Sequence, residues 1–522
     1  MYGIVWLTCV SGSRVTDFSK MVGFDSFDIG LLTAVPFMAT FSQLFAAILI
    51  ERTGLRKYQF LHCATAHRLL WIPIALAPLA LPIPSRLAVV MVLVLMAGSS
   101  FLASLSTPAW TTWMADLIPR RIRGRYFATR GIWSQAVSLV VVVLLGLLLD
   151  NYWPLFNRVA HLFGASLSQD EHTRDLSKLY LICAIFAVGA LFGATDILHF
   201  LKIREVLPPP RKEPPPIDGP TRDFLKAYLW PFFSVLIDPL RDRVFRHYAG
   251  YGMTITFATS AAGWFYFVFS RDNLGFSNLA TDMLFLMIAP LGVMVAAMMW
   301  GKFVDRWGRR PVLIVSTFGA GISVLPWLFA THETAHPQFV EAAVNWISAH
   351  AGALWGHPDA KWITPEMPVG AYLLAVISTT IGGVSWSGIA LAQTGIVMGF
   401  SDGIGRSKSV AVIGVLTSVG GMLGGFAGGW LVQSLQGRPE FGPFHWGSIQ
   451  ACFLLSMLTC LGSIFWLMGM PDPGSAPVRV MLQQMRANFF TAIQSRWSYP
   501  FRIFGGRGEG DDPIRRRRAR KR

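Results

Sequence analysis

GKFVDRWGRR, Gly301 to Arg310, closes one long apolar run, and ERTGLRK, Glu51 to Lys57, closes another. The two stand at an offset of 254 positions, Asp305 against Glu51. At that one offset Asp28 falls on Asp282, Leu32 on Leu286, Pro36 on Pro290, Arg52 on Arg306, Gly54 on Gly308 and Arg56 on Arg310. Matches that follow one shift through a whole apolar run and into the turn behind it mark an internal duplication of membrane segments, each pair ended by a short acid-and-arginine turn.

Composition agrees. The chain is 53% hydrophobic and 14% charged, against about 25% charged in an ordinary soluble domain, too little polar surface for a water-soluble fold. Runs of at least the ~20 apolar residues that cross a ~30 Å hydrocarbon core recur along most of the length. We place twelve: 1–18, 27–50, 58–83, 87–113, 128–149, 178–200, 246–270, 278–300, 311–331, 369–398, 409–435 and 447–470. They group as six in residues 1–200 and six in 246–470, separated by a segment at 201–245 and followed by a basic tail at 471–522.

Positive charge resists translocation and so reports orientation. One alternate set of loops plus the tail holds 34 of the 45 Lys and Arg, and the opposite set holds 9. Both termini are therefore expected on the cytoplasmic side of the cell's inner membrane, and the net charge of +16 is mostly an orientation signal. Only the terminal RRRRARKR suggests nucleic acid, and attraction to anionic lipid accounts for it better, so no nucleic-acid partner is expected. Met1 starts an apolar segment with no charged flank before it and no small-residue cleavage site after it, which argues against a removable signal peptide. The five cysteines, Cys9, Cys63, Cys183, Cys452 and Cys460, all fall in apolar segments and read as free thiols.

Between the halves, EVLPPPRKEPPPIDGP, Glu205 to Pro220, is too proline-rich for helix or sheet and reads as a semi-rigid spacer. Apolar and basic residues then interleave from Arg222 to Arg243, and again from Arg479 to Trp497 in the tail, as in helices lying in the membrane interface.

The GKFVDRWGRR turn, its weaker copy and the six-plus-six layout resemble the major facilitator superfamily over almost the entire chain. The resemblance implies an all-α polytopic fold of about twelve transmembrane helices in two six-helix bundles, working as a monomer without a cofactor. It also implies a gating role for Gly301, Asp305, Arg306, Gly308, Arg309 and Arg310, with Asp305 capping a neighbouring helix and pairing with arginine, Gly301 permitting close packing and Gly308 a tight turn. Glu51, Arg52, Gly54 and Arg56 form the first-half copy, in which Ala47 replaces the first glycine and Leu55 an arginine. A second resemblance, at STPAWTTWMADLIPRRIRGRYFATR, Ser106 to Arg130, adds Asp116 and Arg125 as a possible switch pair, echoed by Asp402 and Arg406 in the other half.

The family places its solute path between the first and fourth helices of each half, here segments one, four, seven and ten. Their polar residues include Arg14 and Asp17; Ser104, Thr107 and Trp110; Tyr251, Thr254, Thr259 and Trp264; and Ser378, Thr379, Ser385 and Trp386. Hydroxyls and indoles suit a neutral or amphipathic solute, although serine and threonine also bond their own helix backbone. Charges within segments are costly and hence informative. Arg14 and Asp17 sit three apart on one helix face and read as a pair, serving either a solute anion or proton coupling or an outer-rim salt bridge, and Arg68, beside His67, is expected to pair with Asp196. If proton coupling operates, Asp17, Asp196 and His67 are its titratable candidates.

No nucleotide-cradling Gly-x-x-x-x-Gly-Lys-Ser/Thr loop exists, which argues against direct ATP driving. His332, Glu333 and His336 spell a zinc-protease pattern, but Pro337 follows at once and breaks the helix the pattern needs, so neither metal nor enzyme is expected. The reading is a secondary transporter moving a small solute by alternating access. The alternative is a non-transporting relative serving as a membrane assembly factor or sensor.

Overall fold

The computed structural model describes residues 2–53, 55–118, 120–162, 170–203, 238–335, 337–342, 345–346, 368–399, 406–440, 446–471 and 475–484. The Pro-rich spacer and the helix expected after it, His336, the outer loop 347–367, Asp402 and most of the tail lie outside these residues. Among the described residues the fold is helical throughout, with no β-strand.

Each apolar run of the sequence becomes a helical span. In the first half α1 covers Tyr2–Cys9 and Ser13–Val22, α2 Ser26–Thr40 and Ser42–Thr53, α3 Arg56–Ala80, α4 Arg86–Leu117, α5 Arg120–Asp150 and α6 Glu171–Leu198. The second half holds α7 at Arg243–Ala262 and Phe265–Val268, α8 at Asn278–Trp307, α9 at Arg309–Phe329, α10 at Val369–Gly399, α11 at Arg406–Leu435 and α12 at Ser448–Met468. Nine of these, among the described residues, are long and apolar enough to cross a membrane unaided. The other three, α1, α2 and α7, are broken into shorter helices, whereas the breaks within α3, α9 and α12 still leave long apolar spans.

The interruption in α1 matters most. Gly12 sits at φ 75° and ψ −149°, a left-handed backbone that glycine adopts without steric cost, and the helix restarts at Ser13. Helix starts elsewhere are set by local caps. Asp25 and Asp28 form a reciprocal capping box at the head of α2, Ser85 accepts from Ala88 N–H, Asp170 from Thr173 N–H, and Asp242 from the amides of Val244 and Phe245.

The core is not evenly distributed. Near the ends where α1 meets α2 and α7 meets α8, one apolar cluster runs across both halves, joining Phe18, Trp71, Leu149 and Phe186 to Phe265, Phe276, Trp327 and Phe453. At the opposite end, where the acid-and-arginine turns lie, the core splits. Phe60, Trp113, Met114 and Ile197 pack within the first half, while Phe245, Trp300, Trp307, Leu313 and Leu467 pack within the second. At the fused end the contact is close: a Cβ on Gly30 of α2 would land 2.4 Å from Gly429 Cα of α11.

Candidate functional site

At the closed face the halves are held by charge. Arg14 and Asp282 are both fully buried and form an ion pair between α1 and α8. Asp282 Oδ1 also accepts from the Ser13 amide at 2.8 Å, so a carboxylate from the second half caps a helix of the first. Gly12 is what admits it, because a Cβ there would sit 2.4 Å from Asp282 Oδ1. The first half returns the contact: Asp150, at the end of α5, accepts from the amides of Asn278 at 2.8 Å and Leu279 at 3.0 Å at the head of α8.

Asp17 does not pair with Arg14, three residues away, as the spacing had suggested. It takes Lys178 of α6 at 2.5 Å and both Nε and Nη2 of Arg271, beyond α7, at 3.3 Å. Lys20 adds an ion pair to Asp272, again across the halves. A buried guanidinium takes whichever carboxylate the tertiary fold delivers, and here α8 delivers Asp282 in preference to the local candidate. Asp28, the repeat mate of Asp282, stays within its own half and receives Arg86 Nη1 at 2.5 Å.

The remaining buried charges lie to the side. Arg68 Nη1 is 3.2 Å from Asp196 Oδ2, the pairing the sequence suggested, and its guanidinium lies 5.0 Å above the Trp6 ring. His67 Nδ1 stands 2.8 Å from Ser99 Oγ, and its ring meets Trp6 edge-on. This cluster ties α1, α3, α4 and α6 together and reaches neither the latch nor a cavity among the described residues.

A cavity of about 710 Å³ is lined by α7 to α10 and α12 of the second half, with Gln135 of α5 as the one lining residue from the first half among the described residues. Of the thirteen residues named above for the solute path, Thr259, Ser378, Thr379 and Trp386 line it. The others are placed elsewhere. Arg14 and Asp17 belong to the latch. Tyr251 is fully buried, with its hydroxyl 2.8 Å from Thr317 Oγ1. Thr254 and Thr107 donate to their own helices, at Gly250 O and Ala103 O, as hydroxyls in apolar surroundings commonly do. Ser385 is buried against Gly319, Ser104 is buried in α4, Trp110 lies beneath Arg130 at 5.1 Å, and Trp264 packs on Phe267. Sequence reading missed Tyr266 within segment seven, and Phe285, Ser323, Trp327 and Ser456, which come from helices outside the four it searched. One signal was available, since Pro290, singled out as the mate of Pro36, lines the cavity.

The turn between α8 and α9 is built as expected at Gly308, whose φ of 91° needs glycine. At Gly301 a Cβ would meet no described residue within 4 Å. Asp305 is exposed and makes no ion pair with a described residue, and the segment 400–405 at the head of α11 lies outside the described residues. Arg310 caps the end of α12 through Leu467 O at 2.9 Å and Met468 O at 2.7 Å, Arg306 covers the Trp307 ring at 5.4 Å, and Arg309 lies against Gly395 of α10. Trp307 also anchors the start of the tail, accepting from Ala476 N–H at 2.8 Å and donating its indole N–H to Gln484 at 3.0 Å. In the first-half copy, Arg56 begins α3, Gly54 lies outside the described residues, and so do the side chains of Glu51, Arg52, Asp116 and Arg125.

A family model described as Major Facilitator Superfamily matches residues 10–357. Solved structures share the fold at low identity. The nucleoside transporter NupG is 14% identical at a TM-score of 0.51, covering 90% of this chain and 96% of that one. A D-xylose-proton symporter is 13% identical at 0.54, covering 91% and 97%. The xylose transporter XylE from E. coli, in an inward open conformation, is 13% identical at 0.55, covering 92% and 96%. No curated protein matches the chain by sequence.

Proposed function

The chain belongs to the Major Facilitator Superfamily, and on that premise we propose that it is a secondary transporter carrying a small solute across the inner membrane by alternating access. The observation that carries this reading is the uneven core. One apolar cluster fuses the halves at the face with the Arg14–Asp282 pair, while two separate clusters leave them apart at the face with the basic turns. Two bundles joined at one end and apart at the other are half of a rocking cycle, and the other half exchanges which end is joined.

The positive-inside bias puts the basic turns and both termini in the cytoplasm, so the arrangement described is the inward-facing one and the charged latch is the closed outer gate. Residues 1–200 and 246–470 act as the rocking units, with 201–245 as the connection that accommodates their motion. Proton coupling, where it operates, has its strongest candidate in Asp17, whose carboxylate joins α1, α6 and the segment after α7. Reconstitution into liposomes tests the reading. Solute flux that stops when the outer latch is cross-linked shut supports it. A protein that binds its solute but carries none under any gradient overturns it.

A further inference from the structure

Among the described residues the cavity is lined by no Asp, Glu, Lys, Arg or His, so none of them can pair a charge brought into it. Its hydroxyls, moreover, have already spent their protons. Ser378 donates to Ser323 O at 2.5 Å, Ser323 to Ala320 O at 2.7 Å, Ser456 to Ala258 O at 2.6 Å, Thr379 to Ala375 O at 2.9 Å and Thr259 to Ile255 O at 3.0 Å. A hydroxyl has one proton and two lone pairs, so each of these oxygens remains only an acceptor. One wall is flat and apolar: Phe285 stacks on Trp327 with ring centres 5.8 Å apart and planes 16° apart, and Tyr266 meets Trp327 at 5.4 Å. The Gln135 amide, the Tyr266 hydroxyl and the indole N–H groups of Trp327 and Trp386, which have no hydrogen-bond partner among the described residues, supply the donors.

From this wall we infer that the cavity takes an uncharged ring compound that carries several O–H or N–H donors on its edge and rests an apolar face on Phe285 and Trp327. The donors meet the acceptor oxygens of α9, α10 and α12, while Gln135 and Tyr266 serve the compound's own acceptors. At about 710 Å³ the space suits a solute of one or two rings, within the ~300–1,000 Å³ usual for small-molecule sites. The inference rests on the transporter reading for its biological sense but makes a separate statement about binding.

Binding is therefore measured on the purified full-length protein, by thermal shift and titration calorimetry, with matched probes. Phenyl β-D-glucoside and adenosine are neutral and rich in donors. Phenyl β-D-glucuronide and adenosine monophosphate add a charge, and the fully O-methylated phenyl glucoside removes the donors. At least one of the first two is expected to bind, with its charged and its methylated counterparts weaker by about tenfold or more. Tyr266→Phe and Gln135→Leu, placed on different halves, should each weaken that binding by about fivefold or more while leaving the unliganded melting temperature unchanged. Charged probes binding as well as neutral ones, no binding by either neutral donor-rich probe, or binding indifferent to both substitutions would each overturn the inference. Binding without flux in liposomes would sink the transporter reading and leave this one intact. Flux of a charged solute with no neutral-ring binding would do the reverse.

Discussion

Asp17 and Arg271, which hold equivalent positions in the two copies of the repeat, bond to each other: both Nε and Nη2 of Arg271 lie 3.3 Å from the Asp17 carboxylate across 254 residues of chain. Points related by a two-fold rotation are equidistant from its axis, so two mates can touch only on that axis. For copies related by such a rotation, this pair would mark where the axis leaves the closed face. An unaltered duplication would have set two like charges against each other there. One copy is acidic and the other basic, so duplication made the contact possible and divergence made it attractive.

Exchanging these two charges tests the pair directly. Asp17→Arg or Arg271→Asp alone should loosen the closed face, read as faster labelling of a cysteine introduced at the outer end of α2. The double exchange should recover part of the protection, with a coupling of roughly 0.5–3 kcal/mol. Recovery stays incomplete because Lys178, 2.5 Å from Asp17, would then face a like charge. Strictly additive effects would mean the contact carries no energy.

Asp282→Asn leaves the Arg14 guanidinium buried without its counter-charge, and removing one partner of such a pair costs about 3–5 kcal/mol. That exceeds the few kcal/mol that usually separate two carrier states, so the population should swing towards an open outer face. Spin labels at the outer ends of α2 and α11 report it as a lengthened distance. An unchanged distribution would show that the apolar cluster alone keeps the face shut.

Gly30→Ala places a methyl 2.4 Å from Gly429 Cα, where neither backbone can yield, whereas Gly98→Ala meets only Leu70 Cδ1 at 3.7 Å. The first should cost about 1–3 kcal/mol of the closed face by overpacking and the second close to nothing. Equal transport rates and equal outer accessibility in the two variants would refute the tight α2–α11 seam.

Asp305 stands exposed here without a described partner, so its charge has little to do in this state. Asp305→Asn should slow net flux, by about tenfold if it loses ~1.4 kcal/mol of the opposite state, while solute affinity stays the same. Flux measured in liposomes and binding measured in detergent separate the two quantities. Normal flux would remove that turn from the gating machinery.

What was legible in the sequence follows from the range of the interactions involved. Span positions, the duplication and the turn at Gly308 rest on local hydropathy, spacing and backbone freedom, and these read directly from the residues. Arg68 with Asp196 was also within reach, since an intramembrane charge demands a counter-charge and few were available. Arg14 misled because an acid three residues away is the obvious partner on an isolated helix, while the real one arrives from α8 after folding. The cavity was hidden for a related reason. Tyr266, Phe285 and Trp327 carry the same apolar signature whether they face a core or a void, and only the relative placement of three helices decides which.

The Ser13 amide has no acceptor of its own on α1 and depends on a carboxylate borrowed from the opposite bundle. In the alternating-access cycle proposed above, parting of the outer mouth would withdraw Asp282, and water would have to meet that amide and the unpaired Arg14. Hydration is then not a by-product of opening but a requirement for it. An apolar plug that keeps the crevice above Gly12 dry would hold the carrier shut without touching the solute site.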